Sequence, residues 1–322
     1  MKNTLRLSGE AGVAQVVKLL RAGECVALPT ETVYGLAADA SNETAVNAIF
    51  EAKGRPTNHP LIVHLASVDQ LKDWAAEVPP EAASLAAALW PGPLTLLLHK
   101  ASSVTPVVTG GHDTIAVRAP EHPLFKAVLS ESKLGLAAPS ANRYKKLSPT
   151  TAEQVLTTLD GRIAAVLDGG PCEFGLESTI VDLTTNVPRV VRSGPISRQQ
   201  IETVLGCDVA MPESHNVAVP GNVEAHYQPN ARLHIVEFSH LSTPLPNQFG
   251  VVLHSDAAAK LFSPGLANVK HLTADPANYA KGLYAALHEL DALQVGQILV
   301  EKPPLEEDWA AINDRLKRAA GP

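Results

Sequence analysis

The chain is poor in several things at once. Its 322 residues include three cysteines, two methionines and three tryptophans, and only 4% are aromatic. Cys25, Cys172 and Cys207 lie far apart and are odd in number, so they give neither a disulfide framework nor a CxxC metal site, and they suit a reducing compartment. No apolar run approaches the ~18 to 20 residues a membrane span needs. The opening "MKNTLRLSGEAGV" has no apolar signal core, which argues against secretion. Positive charge is also short: the formal net charge of −7 argues against a protein built to coat nucleic acid. Standard catalytic signatures are missing as well. There is no GxxxxGK[ST] phosphate loop, HExxH or GxSxG, and twelve histidines are scattered without ligand spacing. "NET" at Asn42 matches a glycosylation sequon of a length that recurs by chance.

What the chain has is length for two domains and a 45% hydrophobic content rich in Ala, Val and Leu. Over the first 207 residues, short apolar runs alternate with helical patterns, which predicts a layered α/β fold. "CVAL" (25–28), "LIVHL" (61–65), "LTLLL" (94–98), "TIAVRA" (114–119), "LGLAAP" (134–139), "AAVLD" (164–168) and "STIVDL" (178–183) read as strands. "VAQVVKLLRAGE", "NETAVNAIFEAKG", "TAEQVLTTL" and "SRQQIETVL" read as amphipathic helices. Residues 208–231 carry three prolines and little periodicity, so a linker is expected there. Strand–helix alternation resumes over 232–322, which predicts a small parallel-sheet domain of Rossmann-like type without a GxGxxG dinucleotide fingerprint.

The chemistry-bearing candidates sit where apolar strands end. Thr30 and Thr32 follow "CVAL", placed either to make an ordinary turn or to bond a ligand at a strand's carboxyl edge. Lys53 and Arg55 stand two apart past a helix end, and either favour the helix dipole or converge on one anion. His64 lies inside an apolar strand, where a histidine is usually a satisfied core residue. Arg118 closes an apolar strand, and a buried guanidinium needs a partner, either a carboxylate of the protein or one of a ligand. "APSANRYKKLSPTT" ends a strand in Ser140 and Asn142 and adds Arg143, Lys145, Lys146 and Ser148, a set able to cradle phosphate. Ser178 opens one strand and Arg192 ends another. Hydroxyls and cations at six strand ends or loops of an acidic chain favour a phosphate-bearing ligand.

"PTETVYGL", "KGRP…NHPLIVHL", "WPGPLTLLL", "VRAP", "APSAN", "ESTIVDL" and "RSGPIS", in this order, resemble the YrdC/Sua5 family of threonylcarbamoyl-AMP synthases. The tail, "LYAALHELDALQVGQILVEKPP" with "AINDRLKRAA", is similar to the C-terminal domain of the longer Sua5 type. The resemblance implies a YrdC-like twisted mixed sheet over 1–207, a linker that folds over the active site at 208–231, and a Sua5 C-terminal domain over 232–322. It implies formation of L-threonylcarbamoyladenylate and pyrophosphate from L-threonine, bicarbonate and ATP, with Mg²⁺ carried on the ATP phosphates and no protein metal site. The product would feed the transferase machinery that makes the threonylcarbamoyl modification of adenosine 37 in tRNA, from a cytoplasmic enzyme with weak or no direct RNA binding and no membrane association.

Carried over by motif, Thr32, His64, Arg118, Ala138 and Ser178 would line the threonine and carbamate pocket. Arg55, His59, Thr114, Ser140, Ser148, Arg192 and Tyr227 would contact ATP, and Lys53 and Asn142 complete the Lys-x-Arg and Ser-x-Asn signature. Arg118 would clasp the amino acid's carboxylate, while Lys53 and Arg55 would offset triphosphate charge. Two departures stand out. His59 occupies a position that is commonly Asn in the family, so ATP binding is expected to persist with altered pH dependence. The segment "VPGNVEAHYQP" keeps Gly221, His226, Tyr227 and Pro229 but lacks the family's basic residues. Two other readings stay open: carbamoyl or nucleotidyl transfer to a different acceptor, and a double-stranded RNA binding module, against which the −7 charge weighs.

Overall fold

The computed structural model describes residues 3–212, 215–221, 225–241, 243, 246 and 248–321. The chain divides into two compact units. One comprises Met1–Tyr144, Pro149–Cys172 and Glu177–Asn222; the other comprises Lys145–Ser148, Glu173–Leu176 and Val223–Pro322. Among the described residues, no helix is long and apolar enough to cross a membrane.

The first unit is built on β1 (Leu5–Ser8), β2 (Val26–Leu28), β3 (Gly35–Asp39), β4 (Ile62–His64), β5 (Leu94–His99), β6 (Thr114–Arg118), β7 (Leu136–Ala137), β8 (Ala165–Asp168), β9 (Thr179–Asp182) and β10 (Arg189–Arg192). They form a mixed sheet in the order β1-β8-β2-β3-β7-β4-β6-β5-β9-β10. β4 and β6 are parallel, as are β5 and β9, while β2–β3, β3–β7, β7–β4 and β5–β6 are antiparallel. The expected strands are present, several a residue or two shorter. β3 was not foreseen, because its "GLAAD" follows a polar turn and carries two alanines where β-branched residues would mark a strand.

Central strands are apolar on both sides because both faces are covered. On one face Leu36, Ala38, Val63, Leu96, Val117, Ala137 and Val181 pack with residues of the helices Glu43–Lys53, Pro80–Leu89 and Ala152–Leu159. Alternation sends Val26, Leu28, Ala37, Leu136 and Ala138 to the other face, against Val13, Val16, Val17 and Leu20 of helix Gly9–Arg21 and Phe125, Val128 and Leu129 of helix Pro123–Ser132. Farther along this second face, Ile62, Leu97, Ala116, Ile180 and Val191 are covered by Val219 and Val217.

The expected linker therefore belongs in part to this unit. Ala210 exchanges backbone hydrogen bonds with Pro188 and Val190, at 2.9 and 2.8 Å, and His215 Nε2 lies 2.7 Å from the Val191 carbonyl. Between the helix pair and this strap runs a row of polar residues. Register pairs His64 with Arg118 across β4 and β6, and with Leu136 across β4 and β7.

The second unit has an all-parallel sheet, in the order β11 (Arg232–Val236), β14 (Gln297–Glu301), β12 (Phe249–Leu253), β13 (Val269–His271), with helices Pro276–Ala292 and Ala310–Ala320. The buried Glu301 ties β14 to β12: its carboxylate accepts from the backbone N–H groups of His254 and Ser255 at 2.9 and 3.0 Å.

Burial and the Arg118 charge push the His64 imidazole down to about 3. Between that value and the ordinary 6.5, the unfolded chain binds a proton that the folded chain refuses, so stability is full above about pH 6.5 and falls as pH drops toward 3. A His64→Gln variant is expected to flatten this acid limb, which in the unaltered protein contributes up to about 1.4 kcal/mol per pH unit. Urea midpoints measured from pH 7 to pH 4 check it. Parallel acid limbs in the two proteins would refute it.

Candidate active site

The loop closing β2 to β3 answers why hydroxyls follow an apolar strand. Thr30 Oγ1 donates to the Val33 carbonyl at 2.7 Å and accepts from the backbone N–H groups of Thr32 and Val33, so Thr30 builds the turn itself. The turn frees Glu31 and Thr32 to meet Arg118. The guanidinium donates through Nη2 to Glu31 Oε1 at 2.5 Å, through Nη1 to Thr32 Oγ1 at 3.0 Å and through Nε to the Gly92 carbonyl at 3.1 Å. Arg118 and Glu31 are each 3% exposed. Of the two partners left open for Arg118, a protein carboxylate is present, and it is Glu31.

Beside this pair, the His64 ring stacks on Phe125 with centroids 5.2 Å apart. Its Nδ1 is buried without a hydrogen-bond partner among the described residues. Ala138 is buried on the same face, and a Cβ on Gly35 would lie 3.2 Å from that of Ala138, so the site floor is a glycine backbone against an alanine methyl.

Arg118 connects to Ser178 through the 90–93 loop: Gly92 donates to the Ala119 carbonyl at 2.8 Å, and Thr179 donates to the Pro93 carbonyl at 3.0 Å. Ser178 Oγ lies 2.7 Å from Thr95 Oγ1 and accepts from Arg192 Nη2 at 3.0 Å. Arg192 also donates through Nε to the Ser178 carbonyl at 3.0 Å and through Nη1 to the Pro220 carbonyl of the strap at 2.9 Å. The turn after β10 approaches this point so closely that a Cβ on Gly194 would lie 2.4 Å from the Thr179 nitrogen, which explains a glycine in "RSGP".

A second cluster gathers at the end of helix Glu43–Lys53. Gly54 ends the helix in a left-handed conformation (φ 63°). Lys53 is 2% exposed and donates through Nζ to the carbonyls of Ser140 and Asn142, at 2.5 and 2.6 Å. Burial, then the charges of Arg55 and Arg143, push this ammonium well below the ordinary lysine value. Arg143 Nη1 donates to the Ala52 carbonyl at 3.0 Å, and the Tyr144 N–H donates to the Lys53 carbonyl at 2.9 Å. Ser140 is held from the other side by a backbone bridge to Gly35. Lys53 thus fixes the backbone of the Ser-x-Asn loop. Arg55 donates through Nη2 to the Pro60 carbonyl at 3.0 Å, and His59 sits edge-on to Tyr144 with centroids 5.6 Å apart.

The structure brings Thr32, His64, Arg118, Ala138, Ser178 and Arg192 into one row of contacts, and Lys53, Ser140 and Asn142 into a cluster joined to it at Gly35. Thr114 opens β6, four residues before Arg118 and about 13 Å along the strand. Ser148 and Tyr227 belong to the second unit. Ser148 is buried there with its carbonyl 3.1 Å from His288 Nε2. Tyr227 (φ 59°) is buried with Arg315 5.3 Å from its ring centroid.

Sequence reasoning passed over Glu31 and Thr95 as site residues. Glu31 carried a usable signal: a carboxylate in a turn with buried flanks and an arginine in an apolar strand are two groups that burial obliges to pair. Thr95 carried none, since one threonine in "LTLLL" reads as an ordinary strand residue.

Comparison with known proteins places the chain among relatives. Residues 18–194 match the family profile described as "Telomere recombination", and residues 196–321 match the one described as "Threonylcarbamoyl-AMP synthase, C-terminal domain". The threonylcarbamoyl-AMP synthase of Bacillus subtilis is 42% identical over 322 aligned positions, covering 96% of this chain and 93% of that protein. The enzyme of the same name from Pyrococcus abyssi is 39% identical over 315, covering 94% and 92%. A crystal structure of P. abyssi Sua5 complexed with L-threonine superposes with a TM-score of 0.90 at 36% identity, covering 99% of this chain and 98% of that one. The chain belongs to the Sua5–YciO–YrdC family, in the form that carries the threonylcarbamoyl-AMP synthase C-terminal domain.

Proposed function

We propose that the protein is an L-threonylcarbamoyladenylate synthase: a nucleotidyltransferase that joins L-threonine, bicarbonate and the AMP moiety of ATP, releasing pyrophosphate. The observation that carries this reading is the pair of bonds Arg118–Thr32 and Arg192–Ser178, linked through the backbone of the 90–93 loop, in a chain whose relatives bear that enzyme's name over nearly their whole length. Threonine would seat its carboxylate toward Arg118 and its carbon chain over Ala138 and Gly35, flanked by the hydroxyls of Thr32 and Ser178 and by the neutral His64. ATP would extend along Arg55, His59, Thr114, Ser140 and Arg192.

The chemistry asks for little from side chains beyond placement. Threonine amine and bicarbonate condense to a carbamate, with an N–C bond formed and water lost, and a carbamate oxygen attacks the α-phosphorus. The bond to the leaving pyrophosphate oxygen breaks, and no protein nucleophile is needed. Carbamates lose carbon dioxide in water, so a buried seat is part of the catalysis. Mg²⁺ would enter on the triphosphate, which it serves by bridging and neutralising phosphate oxygens. The one carboxylate of this site is bound to arginine, and among the described residues no three His, Cys, Asp or Glu side chains gather as metal ligands, a donor set that does not fit a resident metal ion. Asn142 and Lys53 set the loop that presents Ser140.

The free thiols Cys25, Cys172 and Cys207 fit the reducing cytoplasm. The product would pass to a transferase acting on tRNA. At a net charge of −7, direct RNA affinity is expected to be weak.

Pyrophosphate release is expected only when L-threonine, bicarbonate and ATP are all present. Equal release after omission of threonine would overturn the assignment. Lys53→Met should lower kcat/KM by about 100-fold, because the Ser140–Asn142 loop loses its anchor and an error of about 1 Å in placement costs that much. Circular dichroism should show the variant folded. Activity within threefold of the parent would remove the anchoring role.

A further inference from the structure

Nothing in the assignment above gives Glu31 a task, yet it is the carboxylate most tightly engaged in the site. Its two oxygens do different things. Oε1 takes the Arg118 Nη2 bond at 2.5 Å, and Oε2 accepts the Glu121 backbone N–H at 3.1 Å, which fixes the carboxylate plane from outside. Among the described residues, Glu31, Thr32 and Gly92 account for three of the five guanidinium N–H groups, leaving one on each terminal nitrogen. Stability alone is a poor reason for such a pair. Two buried opposite charges gain about as much from each other as they lose in leaving water, and apolar residues of similar volume commonly do as well.

The charge surroundings narrow the choice. Burial, with the Arg118 charge as a second cause, pushes His64 down to about 3, so the ring is neutral. Burial lowers His122 against the smaller opposing effect of Glu31. Burial raises the Cys172 thiol to about 12, with Glu31 pushing it further up and Arg118 down. The groups around the pair thus favour neutral forms, and the subsite itself sums to zero charge. An unaccompanied buried arginine would attract any small anion, including the phosphates of the other substrate. A fixed positive and negative charge side by side instead matches a ligand that carries a carboxylate and an ammonium on one carbon.

We propose that Glu31 is the specificity-determining residue that makes this subsite a receptor for α-amino acid zwitterions: it cancels the Arg118 charge against simple anions and receives the ligand's ammonium while Arg118 receives its carboxylate. This rests on the reading of the site as a threonine subsite. It also accounts for the order of the "PTET" turn, in which Thr30 is spent on the backbone so that Glu31 and Thr32 reach the same guanidinium.

The test is calorimetric titration of the full chain with L-threonine and with (2S,3R)-2,3-dihydroxybutyrate, in which a hydroxyl replaces the ammonium. Parent protein should prefer threonine by about 10- to 100-fold, the scale of one charge-assisted hydrogen bond. Glu31→Gln, which keeps size and shape, should lose about that much affinity for threonine. It should bind dihydroxybutyrate equally well or more tightly, so that the preference shrinks to within about threefold. Equal weakening of both ligands would make Glu31 a mere support for Arg118 and overturn the proposal, as would an unchanged preference. Should the variant fail to fold, the parent alone decides: a preference below threefold sinks the idea, and a larger one that Glu31→Asp reduces upholds it. Parent protein that binds no threonine at all would sink the synthase assignment together with this inference, whereas threonine binding without discrimination would sink this inference alone.

Discussion

A guanidinium can be buried only if the fold supplies acceptors in its plane, and the architecture around Arg118 is arranged to do that. Strand β6 delivers the side chain to one face of the sheet, the 90–93 loop offers the Gly92 carbonyl, and the turn after β2 offers Glu31 and Thr32. These acceptors come from two separate stretches of chain, so a single side chain on a third fixes their mutual positions. Removing Glu31 would leave an uncompensated charge in a site of 3% exposure, where truncating one partner of a pair costs about 3 to 5 kcal/mol. The neutral His64 follows from the same constraint, because a second positive charge one strand away would compete for the same counter-charge.

The surface between the two helix layers and the strap is defined by side-chain parity. Ile62, His64, Ala116, Arg118, Leu136 and Ala138 share a face because alternate residues of paired strands do. Helix Pro123–Ser132 covers one end of that face through Phe125, and Val219 covers the other. Polar residues occupy the remaining gap. The sheet is therefore continuous core on its far side and interrupted core on its near side, and the interruption is the site.

Much of this was legible before the coordinates. Strand ends were readable because apolar runs stop at hydroxyls and cations, and those runs became strands with many of the candidates in or next to their ends. The pairing of Lys53 with the Ser140–Asn142 loop was not readable, because it is a bond from an ammonium to two backbone carbonyls, and no residue type signals a carbonyl. The linker expected over 208–231 is a related case. Its prolines and lack of periodicity say nothing of burial, yet among its described residues Val217 and Val219 close a patch of sheet. β3 escaped notice because two alanines satisfy a crowded interior where larger β-formers would not fit.

Lys53, Arg55, Arg192 and Arg118 divide into two kinds by the partners they show. Lys53 bonds to the Ser140 and Asn142 carbonyls, Arg55 to that of Pro60, and Arg192 to those of Ser178 and Pro220. A carbonyl fixes the direction of a cation without cancelling its charge, so these bonds orient the groups they hold. Arg118 differs in being bonded to a carboxylate, which cancels its charge while still fixing its direction. Positive charge oriented in advance suits a triphosphate, whose stabilisation depends on donors that need not reorganise as charge develops. A neutralised guanidinium suits a ligand that arrives with no net charge. Proteins that bind an amino acid beside a nucleotide must keep the phosphates out of the amino-acid seat, and here one glutamate in a six-residue turn is enough to make the two seats electrically unlike.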